Sequence, residues 1–276
     1  KNLYLKQDFS FPDLRNIDTM RKKDLYMNRM MNNILCIKWG DKYDDSYVEK
    51  LKEQCEANCS VPFKFWCFTD KPEKDWHIPI PTILEKFYDE DRGFFWAYRK
   101  CYVFKHGQIP GDNRYFPDNS KFLFLDLDVI IHQDLKYFFD LPNDKPWIVR
   151  GWWNDIHTVK QNYAKHKSTP LNSSVIVWKK GQLMPVWNHV VDNAEVVFFT
   201  SPSLDNYLAH HWYDPWNEDD GFLQGFPQGD IYSWYKGNIF HDDMELKRLR
   251  TDHKICLFNN STQTEGVNTD EIKQLW

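Results

Sequence analysis

FLFLDLDVII, residues Phe122 to Ile131, decides how the rest of the chain is read. The apolar run from Phe122 to Leu125 has the composition of a strand buried on both faces, as in a parallel sheet. It leads directly into Asp126 and Asp128, two carboxylates placed where that sheet would end. Burying unpaired charge is costly, so the two acids require a cation, a hydrogen-bonding shell, or both. At i and i+2 they share one side of an extended strand, and a turn there would let them converge on one ion. Open α/β sheets hold ligands beyond the C-terminal ends of their strands. The stretch therefore predicts a divalent metal site at such a rim; a strand end whose acids face water is the plainer alternative.

Upstream, Asn33 to Ile37 reads as a strand, left by the loop Lys38-Trp39-Gly40-Asp41-Lys42-Tyr43. A helix follows, with Ser46-x-x-Glu49 as its capping box and Tyr47, Leu51, Cys55 and Cys59 on one stripe. Val61 to Phe68 is the next strand, ending in Thr69-Asp70 and completing a β-α-β unit. Ile78-Pro79-Ile80-Pro81 is too rich in proline for a central strand. Gly93 to His106 reads as a helix stopped by Gly107, because Phe94, Ala97, Cys101 and Phe104 fall at helical spacing. Arg99 and Lys100 on it are candidate anion contacts, or ordinary solvated charges.

Downstream, Leu135 to Leu141 is a short amphipathic turn, and Pro146 to Arg150 is a strand opening into Gly151-Trp152-Trp153. Residues 155 to 170 read as a polar loop. Leu171 to Trp178 is a strand entered through Asn172-Ser173-Ser174, small polar residues that suit a backbone passing close to a ligand and equally suit a turn. Helices are expected at Leu183 to Ala194 and Ser203 to His211. Gln228-Gly229-Asp230 precedes Ile231 at an expected helix start, where Asp230 caps the helix or faces the site. Lys254 to Phe258 is a last strand. There is no internal repeat and no Gly-, Ser- or Pro-rich linker.

The 276 residues suit one large domain, preceded by a polar, partly basic arm or peripheral helix over residues 1–33. Thirteen Trp, fourteen Tyr and twenty Phe supply a large core and flat platforms for sugar rings or bases. A net charge of −5 with no basic stripe argues against nucleic acid as a partner. No stretch approaches the roughly 18 unbroken apolar residues of a membrane span, and the first residues lack a signal-peptide core. The six cysteines form no disulfide framework, and buried thiols suit a cytoplasmic or other reducing compartment.

Taken in order, these motifs resemble the GT-A fold glycosyltransferases that use nucleotide-sugar donors, and most closely the retaining group with glycogenin-like and bacterial galactosyltransferase-like enzymes. The matching elements are Ile37 to Tyr43, Thr69-Asp70, Arg99-Lys100, Asp126-x-Asp128, Asn172-Ser173-Ser174 and Gln228-Gly229-Asp230. The resemblance as a whole covers roughly residues 34 to 260.

The resemblance implies an α/β fold: a single GT-A type, Rossmann-like domain over residues 34–276, with a mainly parallel mixed sheet flanked by helices. It implies that Asp126 and Asp128 hold Mn²⁺ or Mg²⁺ against the diphosphate of a nucleotide-sugar donor, with a UDP-sugar favoured. Trp39, Gly40, Tyr43 and Asp70 would contact base and ribose; Arg99 and Lys100 would contact sugar or diphosphate. Asn172, Ser173, Gln228 and Asp230 would line the sugar pocket, with Asn172, Gln228 and Asp230 nearest the chemistry. Trp152 and Trp153, with Trp212 and Trp216, would stack on a glycan or other hydroxyl acceptor, the alternative for each being core or loop packing. The chain departs from the family in having no His within Lys254 to Asn260 as a third metal ligand, so His253, His241, Asp242 or Asn259 would substitute, or water would fill the position. Two other readings share the same residues: a haloacid dehalogenase-type phosphatase, whose apolar strand also ends in Asp-x-Asp, and a non-catalytic glycan-binding module using the Trp surface.

Overall fold

A computed structural model describes residues 31–81, 95–153, 155–164, 169–217, 220–238 and 247–258. The expected arm lies outside the described residues as far as residue 30. Seven strands form the main sheet: β1 (Asn32–Lys38), β2 (Phe63–Thr69), β3 (His77–Pro79), β4 (Lys121–Leu125), β6 (Trp147–Arg150), β7 (Leu171–Lys179) and β8 (Gln224–Gly225). Their order is β3-β2-β1-β4-β7-β6-β8. All neighbours run parallel except β7, which is antiparallel to both β4 and β6. A second sheet, ordered β5-β10-β9, joins β5 (Val129–Ile131), β10 (Ile255–Leu257) and β9 (Ile231–Ser233).

Alternation along the strands sorts the core into two layers. Leu35, Ile37, Phe122, Phe124, Ile176 and Trp178 face one side of the main sheet, and Ile34, Cys36, Leu123, Leu125, Val175 and Val177 face the other. Both faces are covered, which is why these strands read as unbroken apolar runs. Truncating one of the central rings, such as Phe124 to Ala, would cost about 3–5 kcal/mol.

The helices are α1 (Asp45–Ala57), α2 (Lys136–Asp140), α3 (Ile156–Ala164), α4 (Met184–Asp192), α5 (Ala194–Thr200) and α6 (Leu204–Trp212). A 3₁₀ helix spans Phe95–Phe104, where the sequence predicts an α-helix from Gly93 to His106; residues 93 and 94 lie outside the described residues. Its tighter turn places Tyr98, Cys101 and Phe104, spaced by three, on one fully buried face. The edge position of β3 fits the prolines that exclude it from the sheet centre.

Three local expectations are corrected. The α1 N-cap is Asp44, whose carboxylate accepts from the Ser46 N–H at 2.9 Å, so Ser46 is a donor and no Ser46/Glu49 box forms. The stretch from 155 to 170 is not all loop: Asp155 caps α3 by accepting from the His157 and Thr158 N–H groups, and Val159 is buried beneath it. Asp230 opens strand β9 and not a helix.

Lys121 shows how a charge enters this core. Its ammonium donates to the carbonyls of Phe139 and Leu141 at 2.9 and 2.5 Å, closing the end of α2, and burial pushes its pKa down to about 8.

Candidate functional site

Strand β4 ends at Leu125, and β5 begins the second sheet at Val129. Asp126, Leu127 and Asp128 form the link between the two sheets, and both carboxylates line one cleft of about 710 Å³. Asp126 is anchored through its N–H to the Ser174 carbonyl at 2.8 Å. Its two carboxylate oxygens lie 2.6 and 2.8 Å from the Lys100 ammonium, carried by the 3₁₀ helix. Lys100 also reaches the Ser173 hydroxyl at 3.4 Å. Asp128 accepts from the Tyr43 hydroxyl at 2.9 Å. Burial and the charge of Asp126 push the Asp128 pKa up, which marks a carboxylate that gains from an added cation.

The loop after β1 supplies the opposite wall, with Lys38, Trp39, Lys42 and Tyr43 lining the cleft. Gly40 takes φ +61°, a left-handed conformation that favours glycine, and its N–H donates to Asp70 at 3.0 Å. Asp70 thus fixes the loop and is not among the cleft-lining residues. Arg99 stands behind the same wall, with its guanidinium 5.9 Å from the Trp39 ring centre.

The third wall is the entry of β7 with the start of α6. Asn172, Ser173, Ser174, Ser203, Leu204 and Asp205 line it. Asp205, in the first turn of α6, accepts from the Ser173 N–H at 2.9 Å and from the Asn172 side chain at 3.4 Å. Burial raises the Asp205 pKa, against the pull of Lys100. Tyr98 locks this corner by donating to the carbonyls of Ser201 and Ser203.

Sequence reading missed Asp205. Its partners lie more than thirty positions away, and the one local signal was an acid in the first turn of a helix, which is ordinary stabilisation of a helix N-terminus.

Among the described residues, the remaining expected site residues do not line this cleft. Asp230 is buried, accepting from the Tyr137 hydroxyl at 2.7 Å and pairing with Lys254 at 2.6 Å, so its carboxylate ties β9 to α2 and to the start of β10. Neither Asp230 nor Gln228 is among the cleft-lining residues. Trp152 is held by its indole N–H on the Phe226 carbonyl at 2.8 Å and by the Arg150 guanidinium 3.6 Å from its ring centre. Trp153 packs on Gly151, where an added Cβ would come within 2.8 Å of the indole. His253 is buried beside Tyr232, with ring centres 4.9 Å apart, and does not line the cleft. His241, Asp242 and Asn259 lie outside the described residues.

The strand order, with one antiparallel strand beside the acid-bearing β4 and a small second sheet beyond the acids, can be set against solved folds. The galactosyltransferase LgtC, in complex with donor and acceptor sugar analogues, superposes with a TM-score of 0.56 over 88% of this chain and 94% of that one, at 13% identity. The fold is that of the GT-A glycosyltransferases. The bifunctional glycosyltransferase WbbM gives a TM-score of 0.54 over 90% of this chain and 51% of its own, at 12% identity. By sequence, the chain is 21% identical to glycosyltransferase GlyB of Streptococcus pneumoniae serotype 4 (strain ATCC BAA-334 / TIGR4) across 84% of its length. It spans 59% of that relative. No protein-family model matches the chain. Among the described residues, no helix is long and apolar enough to cross a membrane.

Proposed function

We propose that the chain is a metal-dependent glycosyltransferase that moves a sugar from a nucleoside-diphosphate donor, a UDP-sugar by preference, to a hydroxyl of a glycan acceptor, with retention of configuration. The observation that carries this reading is the convergence of Asp126, Asp128, Lys100 and the Trp39 to Tyr43 loop on one cleft of a GT-A fold. The likeness to GlyB and to LgtC supports transfer over the dehalogenase-type alternative, and retention rests on the family resemblance. The free thiols of all six cysteines suit a reducing compartment.

The residues present fit a hard divalent cation. Two carboxylates face the same space: Asp126, paired here with the Lys100 ammonium, and Asp128, half-buried with a raised pKa. Among the described residues no group of three or more His, Cys, Asp or Glu comes together; at this cleft the cation would be held by Asp126 and Asp128. Bound there, Mn²⁺ or Mg²⁺ would offset the negative charge growing on the departing diphosphate.

The protein's own groups do the rest. Tyr43 fixes the orientation of Asp128, and Lys100 brings a second positive charge to the same end of the cleft. Asp205 holds the Asn172-Ser173 backbone in place, giving the sugar a rigid wall. Trp39 and Tyr43 offer flat surfaces for the base.

A thermal-shift panel of nucleoside diphosphates and sugar nucleotides, with and without Mn²⁺, tests the reading. One nucleotide should raise the melting temperature only with metal, and Asp128→Ala should abolish that rise. A shift that ignores both metal and Asp128 would overturn it.

A further inference from the structure

Two chain segments leave the two sheets on the same rim and meet there. Trp153 stands three residues past the end of β6, where Val149 and Arg150 pair with Asn172 and Leu171 at the cleft-lining entry of β7. Lys236 stands three residues past the end of β9, in a turn closed by the backbone of Ser233 and Gly237. Ser233 is level with Leu257, the residue before cleft-lining Phe258. Leu257 is in turn level with Val129, the residue after Asp128. The Lys236 turn therefore emerges from the small sheet at the end that carries Asp128 and Phe258.

The Lys236 ammonium lies 5.4 Å from the centre of the Trp153 ring. Its side chain is partly buried, and no carboxylate among the described residues pairs with it. Burial pushes its pKa down while the cleft acid Asp205 pulls it back up, so the two charges sense each other without touching. An aromatic face stabilises an exposed cation less than a carboxylate or phosphate stabilises a partly desolvated one. Lys236 is thus a positive charge short of a counterion, beside an indole packed on Gly151 and the core and exposed only along the rest of its ring.

We propose that Trp153 and Lys236 form an acceptor subsite for a glycan bearing an anionic group, a carboxylate or a phosphate. The sugar ring would lie on the indole and the anion would pair with the ammonium, next to the wall that Asp205 and Asn172 build. This rests on the transferase reading above and narrows it: the acceptor is acidic, not neutral.

The test is a binding titration of the purified chain with glucuronic acid, glucose 6-phosphate and glucose, followed by saturation-transfer NMR. It is run without nucleotide or metal, so its outcome is independent of the donor site. One or both anionic sugars should bind at least about tenfold more tightly than glucose, and which one leads distinguishes carboxylate from phosphate. Lys236→Met should erase that difference, and Lys236→Arg should keep it. Trp153→Leu should weaken all three sugars. The proposal is overturned if wild-type protein shows no preference, if Lys236→Met retains the preference, or if Lys236→Met weakens only a nucleoside diphosphate in a parallel titration, which would assign the ammonium to the donor.

Discussion

The Tyr43 hydroxyl donates to Oδ2 of Asp128 at 2.9 Å, linking the loop after the first strand to a carboxylate 85 positions later. A hydrogen bond to a charged group contributes about 1.5–3 kcal/mol. Tyr43→Phe removes that donor and keeps the ring. Isothermal titration should show nucleoside diphosphate binding in Mn²⁺ weakened by roughly 10-fold or more, with the melting temperature little changed.

Asp205 carries the wall of the cleft through the Ser173 N–H. Asp205→Asn keeps the shape and loses the charge, while Asp205→Ala leaves a partly buried N–H without its acceptor. The alanine variant should lose about 1–3 kcal/mol in urea unfolding. Both variants should lose transferase activity, the asparagine form with the smaller loss of stability.

Gly151 is required by the close approach of the Trp153 ring. Gly151→Ala must push that indole aside, at a cost of about 1–3 kcal/mol for overpacking. Sugar acceptor binding should fall while nucleotide binding holds, a split that parallel titrations of the two ligands will read.

His132 sets an acid limit on stability. Burial and the neighbouring His253 hold its pKa down to about 4, against a reference of 6.5, while Asp252 pulls the other way. The unfolded chain takes up a proton near 6.5 and the folded chain resists until about 4, so stability falls as pH drops through that window. The loss is roughly 1–3 kcal/mol, the lower figure allowing for solvent screening at a partly exposed ring. His132→Gln can keep a bond to the Tyr232 hydroxyl, now 3.1 Å from the imidazole, and should flatten melting temperature against pH over that range.

What the sequence disclosed follows the range of each interaction. Strands β1, β2, β4 and β7 were legible because both faces of the sheet are covered, which writes burial into four or five consecutive apolar residues. Asp126 and Asp128 were legible because charge abutting such a run demands a reason. Asp155 as a helix cap was obscured by the polar composition around it, although the residue type was the right one. Asp205 and Lys236 owe their roles to partners brought near only by the fold. Asp230 had the opposite fate: a motif-like neighbourhood, but a carboxylate spent on Tyr137 and Lys254.

The link from Asp126 to Asp128 has its first acid fastened to β7 and its second at the threshold of β5. The pair is therefore a caliper with one jaw on each sheet. Substitutions that retilt the small sheet would reset the span between the jaws, and with it the size of any cation the proposed site would take, while the loop after β1 stays as it is. Acceptor preference and metal preference would then drift together in variants of this scaffold, and base preference would drift separately.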